Sequence, residues 1–136
     1  MASWAASPRK AEHLRRGQLG EDAAKRMLVQ RGMKFLAANF AGDRGEIDLV
    51  FRDGDCLAFV EVKTRSSEDW SRPASAVTRE KQRKISKTAF DYLAKLDQPR
   101  AAVRFDIVEV LLDQGSVREM RYLPNAFPLS RPYRIG

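Results

Sequence analysis

The sequence predicts an α/β sandwich in which helices pack against a mixed sheet, and three observations carry that expectation. Apolar residues recur at the helical period over residues 11–31 and again over 78–96, while runs rich in β-branched and aromatic residues lie between and after them. The order of elements is helix, three strands, helix, two strands. The path from the third strand through the second helix into VRFDIVEV has the length of a right-handed parallel crossover.

In the first helix Gly17, Glu21, Ala24 and Leu28 share one stripe, with Met27 beside it and Gly32 as the stop. Glu21 therefore faces inward. The run KFLAANF reads as a strand over residues 34–40, and AGDRG after it as a loop.

The stretch GEIDLVFRDGDCLAFVEVKTR, residues 45–65, reads as two strands joined at Asp-Gly, a dipeptide suited to the positive φ angles of a two-residue hairpin turn. With Asp53 and Gly54 as the central turn residues, Arg52 opposes Asp55, Asp48 opposes Phe59 and Glu46 opposes Glu61. Alternation then turns Ile47, Leu49 and Phe51 one way and Glu46, Asp48 and Val50 the other, while Leu57, Phe59, Glu61 and Lys63 share a face. In that register Asp48 and Glu61 are diagonal neighbours with backbones roughly 7 to 8 Å apart. A slip by one residue would separate them.

After a polar loop, KTRSSEDWSRPASAV, a second helix is expected from Thr78, as N-cap, to Leu96. Its apolar stripe is Ile85, Ala89, Tyr92 and Leu96. Arg79, Lys81, Arg83, Lys84 and Lys87 form a one-signed cluster interrupted by Glu80. VRFDIVEVLL and SVREMRYL follow as strands around DQGS, with Asp106 expected in a structural salt bridge to Arg104. The chain reads as one domain, 1–136, with a flexible N-terminus over 1–10 and an irregular basic tail over 124–136.

A chain of 136 residues can bury roughly two thirds of its unfolded surface. No apolar run approaches the roughly 20 residues of a membrane span, and MASWAASPRKAEHLRRG lacks the apolar core of a secretory signal. The lone Cys56 cannot form an internal disulfide, so a reducing cytoplasm is the expectation. Twenty-five Lys and Arg against 18 Asp and Glu give a net charge of +7, which favours polyanionic partners. The single histidine, His13, excludes an H-E-x-x-H zinc site.

Two carboxylates converging in a half-buried hairpin repel, and one would hold a proton unless a cation intervenes. Magnesium prefers oxygen ligands and is commonly held by one or two carboxylates plus substrate phosphate, which suits Asp48 and Glu61 with the backbone carbonyl of Val62. Glu21 could reach the same point from its helix, although a capping or inter-helix contact at Gly20 would also explain an inward Glu21. Lys63, two residues past Glu61, is placed to orient or help deprotonate an attacking water, or to offset charge on a phosphorane-like transition state.

GEIDLV followed by FVEVKTR resembles the D and E-x-K elements of the PD-(D/E)-x-K nuclease superfamily, with Ile47 where the motif's name has proline. GQLGEDAAKRML, KQRKISKTAFDYL and RFDIVEV extend the likeness, so that residues 14–112 resemble the YraN-like, or UPF0102, family, which is similar to archaeal Holliday-junction resolvases. The resemblance implies a restriction-endonuclease-like αβββαβ core, a site of Glu21, Asp48, Glu61 and Lys63, and Mg2+ or Mn2+ as cofactor. It favours DNA over RNA as substrate, branched or repair intermediates among DNAs, a symmetric homodimer, and repair or recombination proteins as partners. The basic helix would then supply phosphate contacts through Lys81 and, with Arg65 on the preceding strand, extend along Arg83, Lys84 and Lys87. Two other readings stand beside it: a non-catalytic nucleic-acid-binding module on this fold, and a charge run that is only a solvated face. Trp4 and Trp70 are weaker candidates for base stacking.

Overall fold

Ser7 opens the first helix: its hydroxyl accepts the Lys10 N–H at 3.2 Å, and Pro8 follows at a position where a missing N–H costs nothing. The computed structural model describes residues 7–66, 77–96 and 102–130. Helix α1 (Pro8–Gln30) thus begins inside the segment expected to be flexible, and the chain leaves it through Gly32 at φ +91°. Three strands follow, β1 (Lys34–Ala41), β2 (Glu46–Asp53) and β3 (Cys56–Arg65). Helix α2 (Arg79–Ala94) is capped by Thr78, whose hydroxyl accepts the Lys81 N–H at 3.1 Å, and leads to β4 (Ala102–Asp113) and β5 (Ser116–Phe127). No helix among the described residues is long and apolar enough to cross a membrane.

The five strands form one sheet in the order β1-β2-β3-β4-β5. All neighbours are antiparallel except β3 and β4, the pair connected through α2. This is the mixed α/β arrangement and αβββαβ order of a restriction-endonuclease-like core, with β5 added at one edge. Alternation along β3 divides the interior in two. Leu57 and Phe59 pack with Ile85, Ala89 and Leu93 of α2, whereas Ala58 and Val60 pack with Ala24 and Leu28 of α1. Phe51, Phe59 and Phe105 are fully buried, each contributing about 1.5–3 kcal/mol relative to exposure.

The hairpin register differs from the expected one by two residues. Asp53 pairs with Cys56, so the turn residues are Gly54 and Asp55 and not Asp53 and Gly54. Gly54, at φ +60°, takes the left-handed position that a residue with a Cβ resists. Because the shift is an even number, it preserves the faces: Val50 now opposes Phe59, and the pair after Leu49–Val60 would be Asp48 and Glu61. The ladder stops at Leu49–Val60. Ile47 joins the α2-side cluster with Val50 and not Leu49 and Phe51 on the α1 side, so simple alternation does not pass through Asp48.

The tail boundary also moves. Strand β5 continues to Phe127, which pairs with Phe105 and stacks on its ring at 5.0 Å. Asn125, at φ +51°, breaks the register there and donates its N–H to Asp106 Oδ1 at 2.8 Å, and Pro124 is tolerated because β5 is an edge strand. Arg104 pairs with Asp106 at 3.1 Å, the structural bridge expected from RFDIV.

Candidate functional site

Where β2 and β3 part, backbone groups that a ladder would have paired need other partners. Asp48 supplies one: its Oδ2 accepts the Val62 N–H at 2.8 Å. That bond fixes the Asp48 carboxylate beside β3, next to Glu61, whose side chain is 9% exposed. Glu61 accepts a salt bridge from Lys81 Nζ at 2.9 Å, and Lys81 sits in the first turn of α2 because Thr78 caps that helix. Lys63 follows Glu61 on the same face of β3, half-buried beside Glu109 of β4.

Glu21 arrives from the opposite layer. The stripe that contains it lies against β3, and Gly20 makes the approach feasible, since a Cβ there would overlap Thr64 Oγ1. The Glu21 Oε1 accepts from the side-chain amide of Asn39 at 3.0 Å, and the same amide nitrogen donates to Glu46 Oε1 at 3.1 Å. Glu46 therefore pairs with Asn39 of β1.

The electrostatics follow from this crowding. Burial, and then the Glu61 charge, push the Asp48 carboxyl up to about 7, against the lowering effect of the Val62 hydrogen bond. Burial followed by Glu46 raises Glu21, which the Asn39 hydrogen bond partly offsets. Lys81 is raised, first by its hydrogen bond to Glu61. The Lys81 ammonium beside Glu61, and the raised proton affinity of Asp48, thus both answer charge that the carboxylates cannot easily hold together.

The donor set at this point consists of hard carboxylate oxygens, which fits a divalent cation of the magnesium or manganese class. Among the described residues no three His, Cys, Asp or Glu side chains are already gathered as a metal shell. Asp48 is turned to Val62 N–H, Glu61 to Lys81 and Glu21 to Asn39.

A model of the Uncharacterised protein family UPF0102 matches residues 20–110. The chain belongs to the UPF0102 family. It is 44% identical over 115 residues to a UPF0102 protein of Trichlorobacter lovleyi, covering 84% of this chain and 91% of that one. It is likewise 44% identical over 128 residues to a UPF0102 protein of Solibacter usitatus (88% and 96% covered), and 38% identical over 117 residues to one of Rhodococcus opacus (86% and 99%). The stretch matched by the UPF0102 model contains Glu21, Asn39, Glu46, Asp48, Glu61, Lys63 and Lys81, and ends at Val110, before β5.

The remaining basic residues are spread more widely. Arg65 Nε pairs at 2.9 Å with Glu109, which is wholly buried, and Arg121 of β5 lies 3.9 Å from the same carboxylate. Lys84 lies 3.8 Å from Glu80, and Lys87 pairs with Asp91 at 2.7 Å. Arg83 is exposed and lines, with Arg79 and the 126–130 segment, an open cleft of about 640 Å³. Trp4 and Trp70 lie outside the described residues, as does most of the loop between β3 and α2.

Sequence reasoning passed over Asn39 and Glu109. Both carried a signal: Asn is poorly suited to a strand interior, and a Glu within FDIVEVLL interrupts an otherwise apolar run.

Proposed function

We propose that this protein is a metal-dependent phosphodiesterase acting on nucleic acid, with DNA favoured over RNA and branched or repair intermediates as the first substrates to try. The observation that carries the reading is the placement of Asp48 against Val62 and Glu61, with Lys63 on the same strand face, at the point where β2 and β3 part. Mg2+ or Mn2+ would be held by Asp48, Glu61 and Glu21, with the carbonyl of Val62 as a further oxygen; when bound, such an ion lowers the pKa of water and offsets phosphate charge. Lys63 would orient the attacking water or offset the charge that builds on the phosphate. With Glu61 engaged by a cation, Lys81 would be available to contact a phosphate, and Arg65, Arg83, Lys84 and Lys87 would extend the electrostatic track. The net charge of +7 supports a polyanionic partner.

One observation favours a second reading. The Lys81–Glu61 pair and the Val62–Asp48 bond satisfy both carboxylates from within the chain, as a non-catalytic nucleic-acid-binding module would require.

The test incubates wild type, Asp48→Asn and Lys63→Met with end-labelled single-stranded, duplex, flapped and four-way-junction DNA, and with RNA, in Mn2+, Mg2+ or EDTA. Cleavage by wild type alone, abolished by EDTA, supports the phosphodiesterase. Retention of nucleic acid without cleavage on every substrate supports the binding module. Equal cleavage by all three proteins contradicts the proposed site.

A further inference from the structure

Asn39 adopts φ +52° within β1, a conformation that non-glycine residues enter at a cost and that Asn tolerates better than most. Left-handed backbone inside a strand is kept only where its surroundings hold it. The pairs on either side, Ala38 with Leu49 and Phe40 with Ile47, set Asn39 alongside Asp48 of β2. Its amide nitrogen carries two hydrogens, one for Glu21 Oε1 at 3.0 Å and one for Glu46 Oε1 at 3.1 Å. The orientation follows from those neighbours, because the reverse would set the amide oxygen against two carboxylate oxygens.

We infer that Asn39 is a positioning residue of the candidate cation site: its amide bridges Glu21 and Glu46 and holds Glu21 on the Asp48 and Glu61 side of α1. This rests on the reading of the β2–β3 junction as a divalent-cation site. A glutamate has three side-chain torsions, and without the bridge Glu21 would turn from the other carboxylates toward water. The bridge joins α1, β1 and β2 through one side chain. The backbone strain at Asn39 is then explained by function: a relaxed, extended residue 39 would aim its side chain elsewhere.

Calorimetric titration of the full chain with Mn2+ at pH 7.5, together with melting curves, tests this. Asn39→Gly removes the amide and relieves the backbone, since glycine enters positive φ freely. It should melt no lower than wild type yet bind Mn2+ about tenfold more weakly, the usual scale for loss of a group that orients a metal ligand. Asn39→Ala, which keeps the strain and loses the amide, should bind as weakly as Asn39→Gly but melt lower. Asn125→Gly is the control: Asn125 is also left-handed, at φ +51°, but lies in β5 and bonds Asp106 through its backbone, so its Mn2+ affinity should equal that of wild type. Wild-type affinity in Asn39→Gly, with binding lost in Asp48→Asn, would overturn the inference and leave the cation site standing. Mn2+ binding that is absent from wild type, or unchanged in Asp48→Asn, would overturn the cation site and the inference with it.

Discussion

The ammonium of Lys81, in the first turn of α2, lies 2.9 Å from Glu61 Oε1 on β3. The helix thus supplies from within the chain a positive charge at the point where two carboxylates meet. Replacing Lys81 with Ala leaves Glu61 nearly buried and uncompensated next to Asp48. Loss of one partner from a fully buried pair costs about 3–5 kcal/mol, but Lys81 is half exposed, which brings the expected loss to about 1 kcal/mol. Urea denaturation at pH 8 in EDTA should show that loss, and Mg2+ should restore more stability to Lys81→Ala than it adds to wild type.

Asp48 gives a pH dependence with a definite sign. Its carboxyl is raised from 3.8 in the unfolded chain to about 7 in the fold, so between those values the native state holds a proton that the unfolded state has lost. Stability from this group is full below about pH 4 and falls as pH rises through 7. Asp48→Asn removes the penalty, because a neutral amide can still accept the Val62 N–H. In metal-free buffer at pH 8 the variant should be more stable than wild type by on the order of 2 kcal/mol, and the gap should close as pH falls toward 4.

Much of this site was legible in the sequence because strand parity survives an even error. The Asp-Gly dipeptide predicts a turn one residue earlier than the one that forms, and the register moves by two, yet the ladder keeps its expected faces as far as Leu49–Val60, and beyond it the Val62 N–H bond holds Asp48 beside Glu61. The inward stripe of α1 and the cap at Thr78 are local patterns of spacing and residue type, and they were readable for that reason. Asn39 was not. Its partners come from α1 and β2, and only the packed fold brings Glu21 and Glu46 to the same amide. The extension of β5 was hidden for a related reason: Pro124 and Asn125 look like a strand end, but Asp106, 19 residues earlier, accepts the Asn125 N–H and carries the pairing on to Phe127.

Gly20 sets how close α1 comes to the E-x-K strand. A Cβ at that position would overlap Thr64 Oγ1, so Gly20→Ala should destabilise by about 1 kcal/mol despite the better helix propensity of alanine. Thr64→Ala in the same chain should recover most of the loss. A double-mutant cycle by urea denaturation reads the coupling directly, and additive effects would show that the helix is not held against Thr64.

The basic residues of α2 should contribute unequally to nucleic-acid binding. Among the described residues Arg83 makes no ion pair, whereas Lys87 is held by Asp91 at 2.7 Å. Arg83→Ala should reduce the slope of log Kobs against log salt by about 1, the amount expected for one lost phosphate contact. Lys87→Ala should change it less. Filter binding to a labelled duplex between 50 and 200 mM NaCl, the range over which phosphate contacts show most clearly, separates the two.

NMR titration of the Asp48 carboxyl carbon reads most directly whether Asp48 and Glu61 share a site that a divalent cation completes. In EDTA the midpoint should lie near 7, set by burial and by Glu61. Saturating Mg2+ should keep Asp48 ionised down to about pH 5 or below. A midpoint near 3.8 without metal, or one that Mg2+ leaves in place, would contradict a shared cation site at Asp48 and Glu61.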